Sequence, residues 1–136
     1  MKLYEVASKE VAVLDKDQES IIKKFIQFVM SELGLDTAPK FRFFADTDFS
    51  IEHSSFGGYR DGVIYTMLVN RHLNDVFRSI AHEMVHYRQD LEGRIKIDSG
   101  ETGSDIENEA NYIAGIIMRK WGKKHPNIFA LPPITS

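Results

Sequence analysis

The sequence predicts an α+β fold, because segments of two different periodicities alternate along the chain. Apolar residues recur at helical spacing in 17–33, 74–91 and 104–121, whereas 40–45 and 63–69 are aromatic-rich or β-branched runs of strand length. With 136 residues, 43% of them hydrophobic, the chain can bury one substantial core and is too short for two, so residues 1–136 read as one domain.

The first helix places Ile21, Ile22, Phe25, Phe28, Val29 and Leu33 on one face, opposite Lys23, Lys24, Gln27 and Glu32, and Gly34 ends it. Turn residues 36–39 lead into the strand at 40–45. A second strand falls within 50–60. Asp61-Gly62 is a hairpin signal, and Val63 to Val69 is the strongest strand pattern in the chain. The next helix runs from about Asn74 to Leu91, with Val76, Phe77, Ile80, Met84 and Val85 near its apolar side and Gly93 closing it. After a loop over 98–103, Ser104 or Asp105 caps a third helix that continues to about Trp121, before Gly122. An irregular tail is expected from about 123, since 125–136 holds three of the four prolines.

Composition removes several function classes. A net charge of -3 argues against a general nucleic-acid or anionic-membrane binder, which needs a basic excess. The absence of cysteine excludes disulfides, thiolate metal sites and cysteine nucleophiles, so a metal must be held by His, Asp or Glu. The first residues carry charges every few positions, unlike a secretory signal, and no run reaches membrane-spanning length. A cytoplasmic location is the expectation, with release on lysis or packaging in a virion as the alternatives.

Chemistry enters at His82-Glu83-Met84-Val85-His86. Residues four apart share a helix face, so two imidazoles can converge on one metal ion with a carboxylate beside them, the arrangement of a zinc-dependent hydrolase whose glutamate is the general base. A hydrogen-bonded structural pair is the plainer reading. Against it, Ser79, Ile80, Ala81, Met84, Val85 and Tyr87 are uncharged, and polar groups on so apolar a helix need partners. A third ligand is still required. Gln89 and Glu92 stand where the extended astacin or matrixin pattern needs Gly and His, which excludes that class. The following helix offers Glu107 and Glu109. Ala110, a small residue, would let the two helices approach, which favours Glu107 and puts Asn111 where it can orient a ligand imidazole.

The motif at 82–86, followed by Glu-x-x-Ala-Asn-x-Ile-Ala from Glu107 to Ala114, resembles the gluzincin branch of zinc peptidases. It is most similar to small ImmA/IrrE-like domains and to compact HExxH metallopeptidases encoded by tailed phages. The resemblance covers roughly residues 73–120. It implies a minimal zincin-like fold: an N-terminal helix, a small, twisted, mostly antiparallel sheet, the motif helix and a ligand-bearing helix. It further implies one Zn2+ per chain, with His82, His86 and Glu107 as ligands, Glu109 as the alternative ligand, Glu83 as base and Asn111 as a supporting residue. Iron, cobalt or manganese suit the same donors.

The expected reaction is hydrolysis of a peptide bond in a specific protein or peptide, with no direct nucleic-acid or membrane partner. Such a site needs an oxyanion donor. Tyr87, Tyr112, His72 and His53 are the candidates, although Tyr87 directly follows a ligand and His72 suits a helix cap. His125 reads as a solvated tail residue, and Arg119, Lys120, Lys123 and Lys124 complement a helix C-terminus. An extended substrate would pair with a strand edge near 53–59, where Gly57-Gly58 permits close backbone approach unless the pair is a plain flexible loop. The alternative function is a catalytically silent zincin-like module that binds metal or a protein partner. A DNA-associated regulator is disfavoured by the charge balance and the absence of a helix-turn-helix segment.

Overall fold

The computed structural model describes residues 5–6, 14–44, 57–68, 71–95, 104–130 and 133–134. The chain is α+β, in the order β1 (Glu5–Val6), α1 (Lys16–Leu33), β2 (Lys40–Phe44), β3 (Gly57–Arg60), β4 (Val63–Met67), α2 (Leu73–Leu91) and α3 (Asp105–Lys124), followed by a 3-10 turn (Pro126–Ala130). Among the described residues, no helix is long and apolar enough to cross a membrane.

Each helix begins at a residue suited to the task. Asp15 caps α1 through a reciprocal pair: the Gln18 amide donates to Asp15 Oδ1 at 2.7 Å and the Asp15 amide donates to Gln18 Oε1 at 3.1 Å. Gly34 terminates this helix with φ of 67°. His72 caps α2, its Nδ1 accepting from the Asn74 amide at 3.1 Å. Ser104 caps α3 by accepting from the Glu107 amide at 3.2 Å, which fixes the phase at which α3 leaves its loop.

The sheet has strand order β1-β2-β4-β3. Among the described residues it is mixed rather than mostly antiparallel as expected: β1 with β2 and β2 with β4 are parallel, and β3 with β4 is antiparallel. The reason is connectivity. Helix α1 lies between β1 and β2 in the chain and serves as a crossover, so the two strands run the same way. The Asp61-Gly62 turn, with φ of 51° and 80°, reverses the chain between β3 and β4 as a tight hairpin. β1 itself had no sequence signal.

One face of the sheet carries Phe41, Phe43, Ile64 and Thr66, all fully buried. The core then runs through the helices. Phe25 of α1 stacks on Phe77 of α2 at 4.3 Å, and Trp121 of α3 meets both edge-on at 5.1 and 5.6 Å. One aromatic from each helix therefore fixes the three helices against each other. Arg71 ties β4 to α2, donating to the Met67 carbonyl at 2.9 Å and to Ser79 Oγ at 2.6 Å.

Three further expectations change at the C-terminal end. Helix α3 continues through Gly122 to Lys124, because Gly122 keeps a negative φ and the stop comes instead at His125, whose position before Pro126 disfavours the α conformation. The tail is not simply irregular: it forms the 3-10 turn and buries Ile128 and Ile134 in the core. His125 is half-buried rather than solvated, stacked on Trp121 at 3.8 Å. The basic residues beside it are spent locally, with Lys120 on Glu32 at 2.7 Å and Lys124 over the Phe28 ring.

Candidate metal centre

His82 and His86 sit one turn apart on α2, and Glu107 occupies the first turn of α3, where the helix dipole favours a carboxylate. The three side chains converge. His82 Nε2 lies 3.2 Å from His86 Nε2, and the Glu107 carboxylate reaches both, Oε1 to His82 at 2.7 Å and Oε2 to His86 at 3.0 Å. Among the described residues this is the group whose donor atoms, one per residue, all fall within 4.8 Å of one another and can hold a metal ion. Edges between donors around a tetrahedral zinc are about 3.3 Å, from bond lengths near 2 Å, so the spacing and the N, N, O chemistry fit such an ion with small adjustments. His82 and Glu107 side chains are 20% and 22% exposed, against 10% for His86, so the group is open to solvent on one side.

Glu83 stands beside the group rather than in it, its Oε1 4.0 Å from His86 Nε2. It is buried, and burial together with the nearby Glu107 charge pushes its carboxyl up to about 8. His82 moves in the opposite direction: burial outweighs the attraction of Glu107 and lowers its ring below the usual histidine value, which keeps a nitrogen lone pair available.

The two candidates for third ligand have separate surroundings. Glu109 does not join the imidazoles. Its carboxylate takes two bonds from Arg94, both at 2.9 Å, and one from Gln89 Nε2 at 3.0 Å, and the Arg94 guanidinium holds it down at about 2. Asn111 hydrogen-bonds the His82 ring. Gln89 is the residue that sequence reasoning passed over except as a mismatch to another pattern. It is fully buried, accepts from His86 Nδ1 at 2.7 Å through Oε1, and donates through Nε2 to the Ile106 carbonyl at 3.1 Å. Its spacing, three residues past the second histidine on the same helix face, is the signal that was available.

The candidate oxyanion donors are dispersed. His72 is the cap at the far end of α2. Tyr87 donates its hydroxyl proton to the Thr37 carbonyl at 3.1 Å and packs edge-on to Tyr59 at 6.2 Å. Tyr112 is 69% exposed on α3. His53 lies outside the described residues, as does the loop at 98–103. Among the described residues β3 is the outermost strand beside β4, and Gly57 there is tightly packed: a Cβ would come within 3.2 Å of the Tyr65 carbonyl oxygen and 3.6 Å of Ser79 Cβ, whereas at Gly58 it would meet no atom of the described residues within 4 Å.

Comparison of the chain with protein-family models, with curated proteins and with solved structures found no match in any of the three.

Proposed function

We propose that this chain is a zinc metallopeptidase of the gluzincin type, holding one Zn2+ through His82, His86 and Glu107. The observation that carries the reading is the convergence of two Nε2 atoms and one carboxylate, with a buried carboxylate 4.0 Å from the nearer histidine. When bound, zinc supplies Lewis-acid activation of water and polarisation of the scissile carbonyl. Glu83 accepts the proton of the attacking water and delivers it to the leaving nitrogen, a role that suits a carboxyl whose burial strengthens its hold on a proton. Asn111 orients His82 by hydrogen bonding. An extended segment of a protein or peptide substrate would run alongside β3, the outermost strand beside β4 among the described residues.

Elemental mass spectrometry on protein purified without added metal or a metal-binding tag tests the ligand set. About one zinc per chain is expected in the wild type and in Glu109→Ala, and none in Glu107→Ala. Glu83→Gln should then keep zinc while losing turnover of a peptide library. Zinc-free wild type after zinc addition would overturn the metal reading. Bound zinc with unchanged turnover in Glu83→Gln would remove the base, and bound zinc without any turnover would leave a metal-binding module.

A further inference from the structure

Neutral imidazole ligates a metal through one nitrogen only when the proton sits on the other, and nothing in a histidine itself decides which. At His86 the decision falls to Gln89. The carboxamide oxygen lies 2.7 Å from His86 Nδ1 and can only accept, so Nδ1 carries a hydrogen and Nε2, which faces His82 and the Glu107 carboxylate, is the nitrogen left for a metal.

The carboxamide is itself prevented from flipping. Its Nε2 faces two acceptors, the Ile106 carbonyl at 3.1 Å and Glu109 Oε1 at 3.0 Å, so the reversed amide would set its oxygen against both and its NH2 group against a ring N–H. Glu109 is in turn held by the paired bonds from Arg94. Gln89 is fully buried, so water does not offer the amide a substitute partner. Asn111, the partner of His82, is exposed, and its hold on that ring competes with solvent.

We propose that Gln89 is a positioning residue that locks His86 in the tautomer able to bind metal through Nε2, and that Glu109, clamped by Arg94, fixes the orientation of Gln89. The inference rests on the metal reading above for its consequence, but Gln89 holds the hydrogen on Nδ1 in the metal-free chain as well, where the Glu107 carboxylate is the acceptor for any hydrogen on Nε2. The negative charge of Glu109 also polarises the amide and makes its oxygen a stronger acceptor for the hydrogen on Nδ1.

The test has a metal-free and a metal-bound arm, both on the full chain. Long-range 1H–15N correlation of the histidine side chains near pH 8, in the metal-free protein, reads the tautomer of each ring. Nδ1 of His86 should carry a hydrogen in the wild type, and Gln89→Leu, which keeps the apolar volume but removes the acceptor, should shift the ring toward the Nε2-protonated form that the Glu107 carboxylate accepts. Zinc affinity, measured by competition with a chromophoric chelator, should fall about 10- to 100-fold in Gln89→Leu. If Gln89→Leu does not fold, Glu109→Ala, which loses only the outer clamp, should still shift the ring in the same direction.

An unchanged His86 tautomer in the variant that folds overturns the lock. Unchanged zinc affinity despite a shifted tautomer overturns its importance for binding. A wild type that shows the locked tautomer but binds no zinc would refute the metal reading while leaving the lock standing, so the two failures are distinguishable.

Discussion

Ala110 decides how closely α3 can approach α2, and enlarging it should cost zinc before it costs the fold. The residue is fully buried on α3, one turn from Glu107, so a larger side chain there must displace what packs on it. Ala110→Val adds two methyl groups. Overpacking of this kind costs about 1–3 kcal/mol, with roughly 0.5 kcal/mol more for a β-branched residue in a helix. A helix displaced by even about 1 Å carries the Glu107 carboxylate beyond the range over which ligand distances tolerate error, about 0.2 Å. The contacts at 2.7 and 3.0 Å that bring Glu107 to the imidazoles are therefore the ones at risk.

The assay pairs urea unfolding, which reads stability from the midpoint at constant slope, with chelator competition for zinc affinity. Ala110→Gly is the control. It costs about 1 kcal/mol through helix propensity yet pushes nothing apart, so it should retain zinc affinity. The expected result is at least a tenfold loss of zinc affinity in Ala110→Val and little in Ala110→Gly. Equal affinities in the two variants would refute the claim that helix separation sets the ligand geometry.

Three other outcomes are expected. Trp121→Ala should destabilise by about 3–5 kcal/mol in chemical denaturation, but Trp121→Phe by less than about 1.5 kcal/mol, because Phe keeps contacts with Phe25 and Phe77 and removes a buried indole N–H that has no acceptor among the described residues. Gly58→Ala should raise thermal stability by about 0.4–1 kcal/mol through the unfolded chain, whereas Gly57→Ala should lower it, since its Cβ meets the Tyr65 carbonyl oxygen at 3.2 Å; a gain at Gly57 would contradict the packing. Tyr59 donates to Asp90, and burial and that neighbour raise its phenol above the usual value, so its contribution is fully present below about pH 10 and is lost as pH rises beyond it. Tyr59→Phe should show a shallower alkaline loss of stability than the wild type, and the last-titrating tyrosine should vanish from the ultraviolet titration.

Local chemistry was readable in the sequence and long-range order was not. Caps and turns depend on a few adjacent residues, so Ser104, Gly34 and the Asp61-Gly62 turn stand where the pattern put them. The parallel pairing of β2 with β4 joins residues such as Phe41 and Ile64, which no local signal relates, and β1 is a two-residue strand with no apolar alternation to announce it. Gly122 misled because glycine ends a helix of this kind when it adopts a positive φ, and Trp121 packed edge-on against the stacked Phe25 and Phe77 gives the last turn of α3 a reason to persist. The burial of Ile128 and Ile134 likewise depends on a core surface assembled from distant elements.

The ambiguity between Glu107 and Glu109 has a geometric origin that the helix wheel makes plain. At 100° per residue, Glu107 lies about 60° to one side of Ala110 and Glu109 about 100° to the other, so a helix that packs through Ala110 turns both carboxylates toward its neighbour. Spacing alone could not separate them, because both do reach groups on α2. What separates them is which part of α2 each one meets: Glu107 reaches the two Nε2 atoms, and Glu109 reaches Gln89, one turn further on, with Arg94 closing over it. The small residue between them thus divides two chemically identical side chains into different positions. One faces the metal-binding atoms of the imidazoles, and the other holds the amide that faces the opposite nitrogen of His86.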